Sequence, residues 1–151
     1  MPPKQKYEYA ISACLVGVRC RWDGKSKLNK KALALFKQGK SILVCPEVTA
    51  GLPTPRPACE IIGGDGADVL RGQARVISRQ KKDFTRHFIK GAKLTYQGLR
   101  RSGVRKVMLK SGSPSCGVTK IYSGKFDGLK KSGCGVFTAM LAKKRILKVE
   151  I

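Results

Sequence analysis

The N-terminal part of the sequence alternates between two short apolar runs and one amphipathic segment. Tyr9–Ala13 is nearly all apolar, as a strand buried on both faces of a parallel sheet is. Ser26–Gln38 has apolar residues at helical spacing, with Ser26 as the expected cap, and Ser41–Val44 is a second apolar run. This order predicts two parallel strands joined by a right-handed helical crossover, which restricts the fold to the α/β class.

The same pattern continues along the chain, with irregular segments between the elements. We predict a short strand at Gly72–Ser78, a helix over Phe84–Arg101 capped by Asp83, a strand at Lys106–Lys110, a helix at Val136–Ala142 and a last strand at Ile146–Val149. The sequence indicates irregular structure over Thr49–Arg75 and Ile121–Gly135. We therefore expect one α/β domain over residues 1–151, with a mostly parallel sheet flanked by helices and a polar lead-in at Met1–Lys6.

Three cysteines follow predicted strands at the points where those strands run into loops. They are Cys14, Cys45 and Cys116. In an open α/β sheet, ligands bind outside the carboxyl ends of the strands, so these thiols are expected to meet at one edge. Three protein ligands leave one metal position open, as catalytic sites do. The sequence thus predicts a three-thiol metal or cluster site in an enzyme.

The spacing of the cysteines narrows the type of site. No Cys-x-x-Cys pair is present, which disfavours a structural zinc site, and single ligands from distant loops suit an iron–sulfur cluster. Two other interpretations are free cysteines that only fill the core and disulfides, which the even count of 6 allows. Because we find no signal-peptide pattern and no apolar stretch long enough for a membrane helix, we expect a cytosolic, non-membrane protein with reduced thiols.

Several polar residues near these cysteines are candidates for catalysis. Glu47 lies two residues after Cys45 and could act as a general acid or base, although an ordinary ion pair with a lysine explains it too. Ser111 and Ser113 precede the third cysteine and could orient a substrate, or could only form a turn. Asp23 is the alternative proton relay.

Four further residues have both a functional and a structural interpretation. Trp22 and Tyr122 are the aromatic residues nearest the candidate loops, and either could stack on a base or lie at the edge of the core. His87, the single histidine, is expected on a helix in a surface or packing role. Asp65 in the run Gly-Gly-Asp-Gly is expected to bond the backbone in a turn, because no Lys-Ser/Thr follows to form a phosphate loop.

The balance of charge raises the question of an anionic partner. The 32 Lys and Arg residues exceed the 9 Asp and Glu residues, which gives a formal charge of +23. These cations occur in almost every segment, so a general basic bias explains them as well as a binding surface does. Any nucleic-acid affinity is therefore expected to be non-specific and to fall with salt.

Taken together, the motifs resemble those of the thiouracil desulfurase family, long catalogued as a domain of unknown function. They are SACLVG at 12–17, CRWDGKS at 20–26, CPE at 45–47, GLPTPR at 51–56, GGDG at 63–66 and LKSGSPSCG at 109–117. The resemblance runs from about Tyr9 to Val149. It implies a [4Fe–4S] cluster, sensitive to oxidative loss, that Cys14, Cys45 and Cys116 hold with one iron free.

The activity that this resemblance implies is removal of sulfur from 2-thiouracil-type bases, which gives uracil and sulfide. It also implies an acidic residue and a serine close to the cluster, for which Glu47, Ser111 and Ser113 are the candidates. Two alternatives remain: a basic nucleic-acid-binding protein that acts on or near thiolated RNA, and a zinc- or cluster-binding structural protein without catalysis. The sequence leaves the oligomeric state and the roles of Cys20, Cys59 and Cys134 open.

Overall fold

A computed structural model describes residues 7–144 and 146–150; the predicted lead-in at residues 1–6 lies outside them. Its main sheet has four parallel strands in the order β2-β1-β5-β8. The strands are β1 (Tyr9–Ser12), β2 (Ser41–Val44), β3 (Cys59–Ile62), β4 (Arg75–Ser78), β5 (Lys106–Leu109), β6 (Lys120–Tyr122), β7 (Lys130–Ser132) and β8 (Leu147–Glu150). The predicted α/β class with a mostly parallel, helix-flanked sheet is confirmed.

In the part of the chain that the structure describes, five helices accompany the strands, and a 3₁₀ turn, Ala13–Val16, follows β1 directly. The helices are α1 (Lys30–Lys37), α2 (Pro46–Thr49), α3 (Gly66–Leu70), α4 (Thr85–Ser102) and α5 (Val136–Ala142). The first helix begins later than its predicted Ser26 cap, because the Asn29 side chain accepts the Ala32 N–H at 3.0 Å and caps it there. Helix α4 ends as predicted before Gly103, whose φ of 70° is a left-handed cap.

Alternate residues of the central strands pack into two separate apolar clusters, one on each face of the sheet. Ala10 and Val107 contribute to the cluster that contains α4 and α5, whereas Ile11 and Met108 contribute to the cluster that contains α1. This alternation follows from the two-residue period of a strand. Helices α4 and α1 therefore lie on opposite faces.

The two segments predicted to be irregular contain regular structure, so that part of the prediction is wrong. Thr49–Arg75 includes β3 and α3, and β3 pairs antiparallel with β4. Ile121–Gly135 lies largely in the antiparallel hairpin of β6 and β7. Their strands are three or four residues long and carry Lys, Cys and Ser, which hides the period-2 pattern. Asp65 bonds the backbone as predicted, since it caps α3 in a capping box.

None of the helices within the described residues is both long and apolar enough to cross a membrane.

Candidate active site

A cavity of about 650 Å³ lies beyond the carboxyl ends of β1, β2 and β5. Cys14 reaches its wall from the 3₁₀ turn after β1, Cys45 lies between β2 and α2, and Cys116 is in the loop after β5. Parallel strands end at the same edge, which is why residues separated by more than a hundred positions line one space. The three thiols predicted from the sequence therefore all line one cavity.

A fourth thiol, that of Cys20, joins two of these three. Cys45 Sγ donates to the Cys20 carbonyl oxygen at 3.9 Å, and the Cys14 and Cys45 thiols both act on the pKa of the Cys20 thiol. The contact with Cys14, together with burial, raises the pKa of Cys20 to about 11. The contact with Cys20, followed by burial and the charge of Glu47, raises the pKa of Cys45. The Cys20 and Cys45 thiols are thus protonated near neutral pH until a metal or cluster replaces their protons.

The Cys116 thiol is enclosed more completely than the others. Burial is the main cause that raises its pKa to about 12, and the charge of Glu47 adds to it. Hydroxyl groups of Ser115 and Ser12 contact the sulfur and act in the opposite direction, with Ser115 Oγ 3.5 Å away. Such hydroxyls can donate to a thiolate once the proton has left.

Glu47 occupies a buried position between the thiols and the serine loop, Ser111–Cys116. It belongs to the first turn of α2, which Pro46 begins. Its Oε1 accepts a hydrogen bond from Ser115 Oγ, its Oε2 accepts one from Cys45 Sγ at 3.4 Å, and Arg56 Nη2 lies 3.9 Å from Oε2. The carboxylate is therefore held by three side chains, each of which carries a proton.

The hydroxyl groups of two serines continue this contact toward the cavity. Ser113 Oγ lies 3.1 Å from Ser115 Oγ, and it accepts the backbone N–H groups of Ser115 and Cys116. Because the Ser115 hydroxyl donates to Glu47, Ser113 is the donor in the serine pair. Ser113 itself lines the cavity, so an unbroken line of hydroxyls connects the cavity wall to the Glu47 carboxylate.

Two glycines allow the segments that carry these groups to approach the rest of the fold. A Cβ on Gly91 of α4 would stand 2.1 Å from the carbonyl oxygen of Pro46, and a Cβ on Gly135 would stand 2.4 Å from the carbonyl of Ser115. Both distances are far below a normal contact, so any larger residue would push the segment away. The positions of Glu47 and Ser115 therefore depend on the absence of a side chain at these two residues.

The rim of the cavity carries aromatic and cationic side chains. Trp22 is about half exposed, at 48%, and Tyr122 is half-buried; both line the cavity. Arg56 fastens the loop that bears Trp22, because its backbone N–H bonds the Trp22 carbonyl at 2.8 Å and its Nη2 bonds the Cys20 carbonyl at 2.9 Å. One arginine thus links the rim, the thiol group and Glu47.

Some of the remaining candidate residues line the cavity and others do not. Ser111 and Asp23 are outside the lining of the cavity, and Asp23 is bound to Arg21 at 3.2 Å and to the Lys25 N–H at 3.0 Å. Cys59 lines the cavity. Cys134 does not; its thiol donates to Asp65 at 3.7 Å next to α3.

Arg56 and Cys20 were not among the catalytic or ligand candidates from the sequence, and Ser115 was considered only as a member of the run Ser111, Ser113 and Ser115 before Cys116. The sequence does not show which hydroxyl of that run turns toward Glu47. Arg56 was one of 32 cations and had no pattern of its own. The signal for Cys20 was its short distance in sequence from Cys14 across a predicted loop.

The donor set suits a cluster better than a single ion. Within the described ranges, no three His, Cys, Asp or Glu side chains gather closely enough to hold one metal ion, and all six cysteines are free thiols. In an iron–sulfur cluster each thiolate binds its own iron, so the ligands need not converge on a point. Sulfur donors on one cavity wall are the soft ligands that such clusters require.

Comparison with known proteins agrees with this geometry. The 2-thiouracil desulfurase family matches residues 10–150. The chain belongs to this family. It is 40% identical over 131 residues to the protein YbbK of Bacillus subtilis (strain 168), described as uncharacterized, with 87% of each chain covered. The solved structure of a [4Fe–4S]-dependent thiouracil desulfidase, TudS, is similar with a TM-score of 0.84 and 37% identity, over 96% of this chain and 91% of that one.

Proposed function

We propose that this protein removes sulfur from 2-thiouracil-type bases in the thiol-lined cavity. The observation that carries the proposal is the placement of Cys14, Cys45 and Cys116 on the wall that also holds Glu47. Family membership and the similar [4Fe–4S]-dependent desulfidase support it. Residues 1–151 act as one desulfurase domain in this proposal.

Cys14, Cys45 and Cys116 are the residues that would hold a [4Fe–4S] cluster. Once bound, the cluster supplies an open iron, a Lewis acid that accepts the soft thiocarbonyl sulfur. Cys20 lines the same cavity but does not directly follow a strand. We therefore leave it out of the ligand set and place it beside the ligands. The Ser12 hydroxyl contacts the Cys116 sulfur and can stabilise its thiolate form, whereas Glu47 accepts the single proton of the Ser115 hydroxyl.

The overall reaction is a hydrolysis and is redox-neutral. Water adds to the carbon of the C=S group, the C–S bond breaks with its electron pair on sulfur, and the products are uracil and sulfide. Neither an oxidant nor a reductant enters. The protein must therefore supply two things besides the metal: a group that takes a proton from water, and groups that hold the ring in place.

Glu47 is the group that takes the proton. It lines the cavity, and Ser115 and Arg56 fix the direction of its carboxylate. The Ser113 and Ser115 hydroxyls form the path by which that proton can return to the ring nitrogen or to the leaving sulfur. Trp22 and Tyr122 are placed at the rim, where an aromatic face can stack on a pyrimidine.

The test is anaerobic reconstitution with iron and sulfide, followed by measurement of uracil and sulfide released from 2-thiouracil. We expect about four irons per chain, the brown absorbance of an iron–sulfur cluster and turnover. Cys14→Ser, Cys45→Ser and Cys116→Ser should each lose the absorbance and the activity together. Cys134→Ser is the matched control, because that thiol is outside the cavity, and it should keep both.

Two results would contradict the proposal. Stable binding of zinc without iron, with no turnover, would favour the structural alternative. A full cluster without release of sulfide from any thiolated pyrimidine base would keep the cluster site and overturn the assigned reaction. A third result, loss of the cluster in Cys20→Ser but not in Cys14→Ser, would keep the proposed reaction and exchange these two residues in the ligand set.

A further inference from the structure

One exposed stripe of α4 collects cationic side chains, although the basic residues are spread along the sequence. Arg86, Lys90, Lys93 and Arg100 are all exposed, and their spacing of four, three and seven residues puts them on one side of the helix. With a rise of about 1.5 Å per residue, the stripe is about 21 Å long. Helical spacing therefore places in one line four cations that are separated in the sequence.

Within the described residues this stripe has no ion-pair partner, although the charge of Asp83, just before α4, acts on Arg86. The sequence of α4 contains no Asp or Glu, and among the described residues Arg86, Lys90, Lys93 and Arg100 form no ion pair within 4.0 Å. The nearest acidic residue in sequence is Asp83, which lies 3.9 Å from Arg75. A row of cations without counter-charges repels itself, so it is stable only as long as solvent ions or an anionic partner cover it.

The stripe begins at the mouth of the active-site cavity. His87, next to Arg86 in the first turn of α4, lines that cavity. Arg79 and Lys82 precede α4 and line it as well, with their cationic groups 5.2 Å and 5.3 Å from the ring centres of Phe126 and Phe84. The charged track therefore runs from the cavity mouth along the length of the helix.

We propose that this track, Arg79–Lys82–Arg86–Lys90–Lys93–Arg100, binds the phosphate backbone of single-stranded RNA. A line of cations fits a chain that carries one negative charge per nucleotide, and Lys and Arg contacts to phosphate supply most non-specific nucleic-acid affinity. A strand bound there passes the mouth of the cavity. This goes beyond desulfuration of a free base, and neither activity requires the other.

An acidic membrane is the other surface that a basic helix can meet, and the packing of α4 disfavours it. Membrane-binding amphipathic helices insert their apolar face into the lipid. In α4 that face is used inside the protein: Phe88, Ala92 and Leu99 are buried in the core against α5. The exposed side carries the cations and one large apolar residue, Leu94, which is too little apolar surface to insert a helix into lipid, whereas backbone phosphates need only the cations.

The chain offers a control with the same change in charge. Lys30, Lys31 and Lys37 are exposed on α1, on the opposite face of the sheet. The triple substitution Lys30→Gln, Lys31→Gln, Lys37→Gln removes as much charge as Arg86→Gln, Lys90→Gln, Lys93→Gln. Because both variants lose three positive charges, a difference in their RNA affinity depends on where the charge lies and not on how much charge is removed.

The experiment measures binding of a fluorescent 12-nucleotide oligouridylate to the cluster-loaded protein between about 50 and 200 mM salt. The α4 triple variant should bind the RNA at least about tenfold more weakly. The negative slope of log K against log salt should decrease in magnitude by about 2, since each of the three lost phosphate contacts on a single strand contributes about 0.7. The α1 triple variant should remain within about twofold of the parent. Release of sulfide from free 2-thiouracil, measured on the same samples, should be unchanged in both.

Three outcomes would overturn the proposal. Equal loss of RNA binding in the two triple variants would make the affinity a property of net charge. Unchanged RNA binding in the α4 variant would show that the track does not bind RNA. Binding of the α4 surface to vesicles that contain phosphatidylserine, with RNA binding unaffected by the substitutions, would assign it to a membrane. None of these results bears on desulfuration of the free base, so the two proposals fail separately.

Discussion

Two buried glutamates, Glu47 and Glu60, line the same cavity but are held in different ways. Each is 8% exposed. Glu60, on β3, accepts backbone N–H groups from Gly124 at 2.8 Å and Phe126 at 3.2 Å. The Glu47 carboxylate is held instead by three side-chain groups, a hydroxyl, a thiol and a guanidinium.

The difference separates a structural carboxylate from one that can do chemistry. A backbone amide donates a hydrogen bond but does not pass a proton on, so Glu60 serves to fix the loop that follows β6. A hydroxyl or a thiol both donates and accepts, and its proton can move. Burial alone would have made the two residues equal candidates, whereas their partners distinguish them.

The most sensitive test of this comparison makes the same substitution at both positions. Glu47→Gln keeps the shape of the side chain but cannot take a proton, so desulfuration should fall by roughly a hundredfold or more, the effect of losing an acid–base group. Glu60→Gln keeps an oxygen that can accept from both amides, and its turnover should stay within about twofold. The measurement is kcat for sulfide release from 2-thiouracil, normalised to cluster content.

Cluster content is the internal control for that pair. Both variants should contain as much iron as the parent, since neither residue is a proposed ligand. A Glu47→Gln protein with a full cluster and near-normal turnover would make Glu47 an ordinary buried ion-pair partner of Arg56. Equal losses at both positions would abolish the distinction drawn from their partners.

Removal of the acceptor from Glu60 should affect stability instead of catalysis. Glu60→Met has a similar length but leaves the Gly124 and Phe126 N–H groups without their partner, which costs about 1–3 kcal/mol for a buried group. The free energy of unfolding from urea titration should fall by that amount, with the kcat of the folded, cluster-loaded protein within about twofold. A stable but inactive Glu60→Met protein would give Glu60 a catalytic role.

The sequence predicted the scaffold of this site better than its polar details. Cys14, Cys45 and Cys116 could be predicted together because strand ends of a parallel sheet meet at one edge, a rule that needs only the order of elements. The main sheet followed from apolar runs of four or five residues. Proximity of Glu47 to Cys45 in sequence was enough to nominate it.

What the sequence could not supply were contacts between segments that no local pattern connects. Ser115 meets Glu47 across 68 positions, and Arg56 meets Cys20 across 36. Such pairs depend on how α2 and the serine loop pack, and this packing depends on close approaches at Gly91 and Gly135. Strands β3, β6 and β7 were missed for a related reason, since their pairing and not their composition makes them strands.

Ser115 should have an intermediate effect, because it acts through Glu47. Ser115→Ala removes the hydroxyl that fixes Oε1 and connects Ser113 to the carboxylate. We expect kcat to fall by about tenfold, the equivalent of about 1.4 kcal/mol and of one typical hydrogen bond. Ser115→Thr keeps the hydroxyl and should recover at least part of the activity. No recovery with threonine, in a protein of normal stability, would point to packing against Gly135 as the role of this residue.

The smallest effect is expected at Asp23, the other carboxylate considered for the proton. Asp23 lies outside the cavity lining, and its oxygens are bound to the Lys25 N–H and to Arg21, so it stabilises the loop around Trp22 as Glu60 stabilises its own loop. Asp23→Asn keeps the acceptor for Lys25 and weakens only an ion pair near the surface, which is worth about 0–1 kcal/mol. Turnover should stay within about twofold, and any change should appear in KM, through Trp22, before it appears in kcat. A loss of kcat as large as that of Glu47→Gln, at unchanged iron content, would assign the proton transfer to Asp23. It would also show that the type of hydrogen-bond partner does not identify the catalytic carboxylate of this site.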